Sequence, residues 1–268
     1  MARSLLLALL VTASASAQPA VERPLTRVLQ AAVGADGAVD YGQVQARRAD
    51  LDAALAAVAA QDPAALRSDA QRTAFLVNAY NAHVLARVLE LGATHLERQG
   101  LFERFFEAPV AVAGARLTLN QVEHGALRRQ RRVDGRPVPR AARALRPSRL
   151  DPRIHAAVNC AAVSCPPLGR RAWSAATLDR DLDVAYAAFV ASPRAARREG
   201  GQTVLSSIFD WFADDFEQAG RPLGDAILAA MPARRAATFR RALAGKTAEA
   251  LRRDRSVRFA YDWTVHRH

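Results

Sequence analysis

The chain has 268 residues, 50% of them hydrophobic, and a formal net charge of +12. The positive excess is almost entirely arginine, because Lys246 is the only lysine, and the arginines are scattered instead of forming one tract interleaved with aromatics; this argues against a nucleic-acid surface. Two cysteines exclude a disulfide-dense scaffold, and no apolar run beyond the first residues is long enough for a transmembrane anchor.

Residues 1–17 carry Arg3, an apolar stretch from Leu5 to Val11, and the small residues Ala15, Ser16 and Ala17. This is the pattern of a secretory signal peptide. It predicts export, with a bacterial periplasm as the expected compartment. Residues 18–35 read as a lead-in with a short helix near 25–32, and 36–268 as one domain. Gly34 to Gly37 signal a turn, 38–41 a brief strand, and Leu51, Leu55 and Val58 place a helix over about 43–60.

The next helix, 69–91, is the expected buried centre. At 100° per residue, apolar side chains cover most of its circumference. Asn78 and Asn81 nevertheless fall inside the apolar sector. A buried amide without partners costs about 1–3 kcal/mol, so both require specific partners. Either they pin an irregular stretch of chain or they line a site. Residues 110–117, with Ala113 and Gly114 at the middle, read as a hairpin. Thr118 and Gln121 form a capping-box pattern that opens a helix over 119–131, with Glu123, His124 and Arg128 in mutual reach. Residues 132–150 read as a surface excursion. Ten arginines lie between Arg128 and Arg153, a candidate contact for an anionic envelope surface if they are not simply solvated.

Residues 151–168 concentrate the chemistry. They hold His155, Asn159, Cys160, Ser164 and Cys165. Asp151 before Pro152 is an N-cap followed by proline at the first helical position. The run that follows is compatible with a short helix or a strand. Pro166 and Pro167 force an extended exit. In an oxidising compartment the two cysteines are most simply a disulfide. They also suit thiol catalysis, and a metal site has only weak support. Further on, a helix capped by Thr177 runs to about 190. A strand covers 203–205, and a serine-capped helix with Phe209, Trp211 and Phe212 follows. Several short helices fill 223–252, and 257–265 is a last strand.

The chain carries, in order, Gly37, Val39, Asp40 and Tyr41; Ala74 through Ala82, with Asn78, Tyr80 and Asn81; Val122 through Arg128; Asp151 through Pro166; Phe209, Asp210, Trp211, Phe212, Asp215 and Phe216; and Tyr261, Asp262 and Trp263. Together these motifs resemble the DUF547 family, a domain of undetermined function. The chain departs from the family pattern at Leu76, usually tryptophan, and Val77, usually isoleucine. The resemblance implies a single α+β domain, and the elements above make it mainly helical with a small antiparallel sheet.

The expected site is a polar, cysteine-containing pocket between 69–91, 119–131 and 151–168. Its expected activity is thiol-dependent hydrolysis or acyl transfer on an amide or ester. Cys160 is the nucleophile, His124 the base, Glu123 its orienting group, and Cys165 and His155 are further catalytic candidates. Asn78, Asn81, Arg128, Asn159 and Ser164 shape the site, the amides as oxyanion donors. No cofactor or metal is expected, and the ligand is a small molecule, peptide or envelope polymer. The competing expectation is a non-catalytic, disulfide-stapled binding or scaffolding domain.

Overall fold

The computed structural model describes residues 20–98, 100–217 and 220–268. The expected signal peptide lies outside the described residues. In chain order the described α-helices are α1 (Glu22–Ala32), α2 (Tyr41–Ala46), α3 (Arg48–Ala60), α4 (Asp69–Leu91), α5 (Leu101–Phe106), α6 (Arg140–Ala144), α7 (Leu178–Ala191), α8 (Ser207–Trp211), α9 (Ala213–Phe216), α10 (Leu223–Ala230), α11 (Ala233–Leu243) and α12 (Ala248–Arg253). The strands are β1 (Val110–Val112), β2 (Ala115–Leu117), β3 (Arg132–Val133), β4 (Arg136–Pro137), β5 (Ala196–Glu199), β6 (Gln202–Ser206) and β7 (Val257–Ala260). The fold is α+β, helix-rich with small sheets, as the sequence predicts.

Helix α4 has the expected bounds. Ser68 and Gln71 close a capping box at its start, and Gly92 ends it in the left-handed conformation at φ 57°. Buried residues run without a break from Thr73 to Val88, so the helix is enclosed on nearly every side. The first hydrophobic core forms around it and includes Leu25, Val44, Leu51, Val112, Leu127 and Ile154. A second core, with Phe189, Phe209, Phe216, Phe239 and Leu251, gathers the later helices.

Hairpin β1–β2 turns at Ala113 and Gly114, both with positive φ, in register Val110 to Leu117. The expected excursion over 132–150 contains a second hairpin, β3–β4, turning at Asp134 and Gly135, and then α6. In the third sheet β5 and β6 pair antiparallel, whereas β6 and β7 pair parallel from Thr203 with Val257. The expected antiparallel pairing is present in all three small sheets, and β7 adds one parallel edge to the third. Helices α8 to α12 separate β6 from β7, and such a long connection permits a parallel crossover.

Other expectations shift locally. Residues 38–41 form only isolated bridges at Val39, and Tyr41 already begins α2, capped by Asp40. The predicted helix over 43–60 breaks at Arg47 into α2 and α3. Thr177 occupies an N-cap position without capping; its hydroxyl donates to Asp181 instead. The last strand is shorter than predicted. Beyond it, Thr264 bridges His95, Val265 bridges Ala162 and Arg267 bridges Val39, so this segment ties three distant parts of the chain together.

Candidate functional site

The predicted helix over 119–131 is instead a π-helix, Gln121–Leu127. Thr118 and Gln121 form the expected capping box, through the Thr118 N–H to Gln121 Oε1 at 3.1 Å and the Gln121 N–H to Thr118 Oγ1 at 3.0 Å. The wider turn ends with the Arg128 N–H on the Glu123 carbonyl at 2.8 Å. π-turns of this kind recur at functional sites. Gly125 allows it to lie close to its neighbour: an added Cβ would come within 3.1 Å of Val138.

The two buried asparagines of α4 pin irregular chain. Asn78 Nδ2 donates to the Trp173 carbonyl and its Oδ1 accepts from the Trp173 N–H, both at 2.8 Å. Asn81 Nδ2 donates to the Ala157 carbonyl at 3.0 Å, and its Oδ1 accepts from the Asn159 N–H at 2.9 Å. Asn159 in turn donates to the Pro166 carbonyl at 2.8 Å and accepts from the Ala161 N–H at 2.8 Å. All three amides are thus consumed in holding backbone. They do not line the pocket, and the expected oxyanion role for them is corrected.

The central motif begins as a 3-10 helix, Pro152–Ala156, capped by the Asp151 side chain, so the helical alternative holds in a tightened form. After Asn159 the chain bends through Ala161, a non-glycine residue at φ 69°. Cys160 and Cys165 are joined as a disulfide across this bend, their Cα atoms 6.4 Å apart. Cys165 is buried and Cys160 only partly so. The Tyr261 hydroxyl lies 3.0 Å from the Cys160 sulfur and 3.1 Å from that of Cys165. Ser164 holds the outer side, its hydroxyl accepting from the Asp262 N–H at 2.8 Å.

A cavity of about 310 Å³ opens beside the disulfide. Cys160, Cys165, Glu123, His124 and His155 line it together, although they come from separate segments. Asn78, Asn81, Arg128, Asn159 and Ser164 stand behind the walls. The rest of the lining is mostly aromatic, including Tyr80, Phe102, Trp211, Phe212, Tyr261 and Trp263.

Hydrogen bonds distribute the polar roles. Glu123 does not orient His124: its Oε1 is 3.9 Å from His124 Nδ1, while it accepts the buried Tyr80 hydroxyl. An Arg128 N–H reaches His124 Nδ1 at 3.3 Å. Because arginine only donates, that nitrogen accepts, and a neutral His124 carries its proton on Nε2. In His155 the other nitrogen is the one engaged. Its Nε2 lies 2.8 Å from Asp215 Oδ2, and its Nδ1 is buried without a partner. Asp215 also accepts the Arg128 guanidinium through two bonds, at 2.5 and 3.2 Å. Phe212 completes the cluster, stacked on His155 at 4.0 Å and lying 4.5 Å under the Arg128 guanidinium.

Burial alone raises Asp215, but hydrogen bonds from His155 and Arg128 outweigh it and hold the carboxyl below the usual range. Burial lowers His155 despite the Asp215 bond. Burial raises both Tyr80 and Tyr261, and the Glu123 charge adds to this, so both hydroxyls remain protonated donors.

Tyr80, Tyr261, Asp215, Trp211 and Trp263 were not among the expected site residues. All belong to the motifs quoted above, which is the signal that marks them. What the sequence alone does not give is their convergence on one cavity.

The expected arginine patch is largely engaged within the chain. Arg129, Arg132, Arg143 and Arg146 donate to backbone carbonyls, Arg128 binds Asp215, and Arg153 joins Asp151, Asp179 and Asp183. Among the described residues no helix is long and apolar enough to cross a membrane.

Fold and site define a class: an α+β domain whose central helix pins a disulfide-closed bend beside an aromatic pocket. Residues 64–190 match the model of a family described as "Protein of unknown function, DUF547", the family that the sequence motifs resemble. No curated protein and no solved structure matches it.

Proposed function

We propose that this is an exported protein whose pocket performs thiol-dependent hydrolysis or acyl transfer on an amide or ester once the Cys160–Cys165 disulfide is reduced. The observation that carries this reading is the convergence of both cysteines and both imidazoles on one cavity. The disulfide is the resting form. A dithiol reductant supplies two electrons and two protons, becoming a disulfide itself, and frees two thiols.

Cys160, the less buried sulfur, is the nucleophile. His155 fits the role of base better than the expected His124, because Asp215 orients it and its Nδ1 lone pair is unused. His155 Nδ1 takes the thiol proton as the thiolate adds to the acyl carbon. The Tyr261 hydroxyl and the His124 Nε2–H are the donors available to the oxyanion. The leaving amine or alkoxide takes the proton from His155. Water or a second acceptor then removes the acyl group from sulfur, with its own proton passing through His155 to restore the thiol.

A second reading has its own support. With the disulfide closed and all three asparagines committed to backbone, the same region is a stapled binding module. Export rests on the signal-peptide pattern and on a disulfide, which persists in oxidising compartments.

Treating the folded protein with a mild dithiol and then iodoacetamide tests the choice. The enzyme reading expects rapid labelling of Cys160 at neutral pH, slowed at least tenfold by His155→Gln and much less by His124→Gln. A disulfide that resists mild reduction, or a thiol no faster than a free cysteine, would establish the binding module instead.

A further inference from the structure

The pocket walls are oily, yet they enclose a carboxylate. Glu123 is 7% exposed and lines the cavity. In the same lining, Trp211, Tyr261 and Trp263 pack as a cluster. Their ring centroids are 4.8 Å apart for Trp211–Tyr261, 4.6 Å for Tyr261–Trp263 and 5.6 Å for the stacked Trp211–Trp263 pair. Phe102 stands edge-on to Trp263 at 5.4 Å. Trp211 is 45% exposed, so its ring is reachable from solvent.

No arginine or lysine is among the described residues lining the cavity, in a chain of net charge +12. The nearby Arg128 is bound by Asp215. Glu123 is the one acidic side chain among the described lining residues. An anionic ligand would meet this carboxylate with no counter-charge. A neutral one would strip water from Glu123 and offer nothing in return. A cation with a methylated or alkylated surface satisfies both the ring faces and the carboxylate.

We infer that the aromatic pocket binds a small organic cation, a quaternary ammonium or alkylated amine, held by Trp211, Tyr261, Trp263 and Glu123. The inference rests on the proposed pocket as the ligand site but not on its thiol chemistry, since the disulfide need not open for binding. In the proposed reaction this cation is the substrate's recognition group.

Tryptophan-fluorescence titration of the oxidised full-length protein tests it. The probes are choline chloride and neohexanol, its uncharged carbon isostere, with sodium chloride as the ionic control. Choline should bind at least about tenfold tighter than neohexanol. Glu123→Gln should remove most of that preference. Trp211→Ala, at an exposed position, should weaken choline severalfold while leaving the circular dichroism spectrum unchanged. Equal or tighter neohexanol binding overturns the inference, as does a choline response no larger than that of sodium chloride, or a Glu123→Gln protein that keeps the preference. Because no thiol exists in the oxidised protein, these outcomes are independent of the labelling result.

Discussion

The two hydrophobic cores divide the labour of the site unequally. The first, built on α4, fixes the cysteine-bearing bend through Asn81 and Asn159 and carries Glu123 and His124. The second supplies the helices that carry Trp211, Phe212 and Asp215. The family match over 64–190 ends before those residues. The thiol-bearing half of the pocket thus lies within the matched segment together with Tyr80 and Phe102, while Asp215, which orients His155, and the aromatic residues Trp211, Phe212, Tyr261 and Trp263 lie outside it. A site split in this way depends on the seam between the cores.

The seam can be broken most strongly at Asp215. Asp215→Ala leaves Arg128 and His155 buried without their acceptor, and it should cost about 3–5 kcal/mol in chemical denaturation. A loss under about 1 kcal/mol would mean that the two cores hold together without this cluster.

Acid should strike the first core next. Burial pushes His83 down to about 4, against the hydrogen bond to the Ala111 carbonyl. Below the ordinary imidazole value of about 6.5 the unfolded chain takes up a proton that folded His83 refuses. Stability therefore falls as pH drops through that window, by an amount on the order of 3 kcal/mol once pH is below the folded value. Thermal melts from neutral pH downward should show this decline, and His83→Gln should flatten it. His155, also lowered by burial, contributes in the same direction at the seam.

Asn81→Ala sharpens the comparison inside the first core. It strands the Ala157 carbonyl and the Asn159 N–H, and about 2 kcal/mol should be lost. It should also alter the reduction rate of the disulfide, because the bend loses its anchor. An unchanged rate would show that Asn159 alone sets the bend. The smallest effect is expected at Arg253, whose partner Glu249 is largely exposed. Arg253→Ala should cost no more than about 1 kcal/mol and should lose even that difference at high salt.

Much of the first core was legible locally. Helix α4 announces itself by an apolar circumference, and Asn78 and Asn81 by being polar within it. Asp151 and Pro152 mark the start of a helical turn. The hairpin at Asp134 and Gly135 also carries a recognised turn pair, masked by arginine-rich surroundings that read as exposed. The π-turn was not legible, because its capping box equally permits an α-helix. Nor was the parallel pairing of β6 with β7, which depends on a crossover and not on alternation. The contacts of His155 with Asp215 and of Tyr261 with the sulfurs join positions far apart in the chain. Nothing in the local pattern at either end specifies its partner. The sequence therefore nominates the cysteines and histidines but does not assign their hydrogen bonds.

The segment after β7 bridges Ala162, His95 and Val39. Its consequence is kinetic. Such remote pairings carry a large loop-closure penalty and form only after the local helices have already collapsed. Tyr261 reaches the sulfurs through this segment, so the cavity should be among the last features to form. Until then an oxidant meets two cysteines without their tyrosine neighbour.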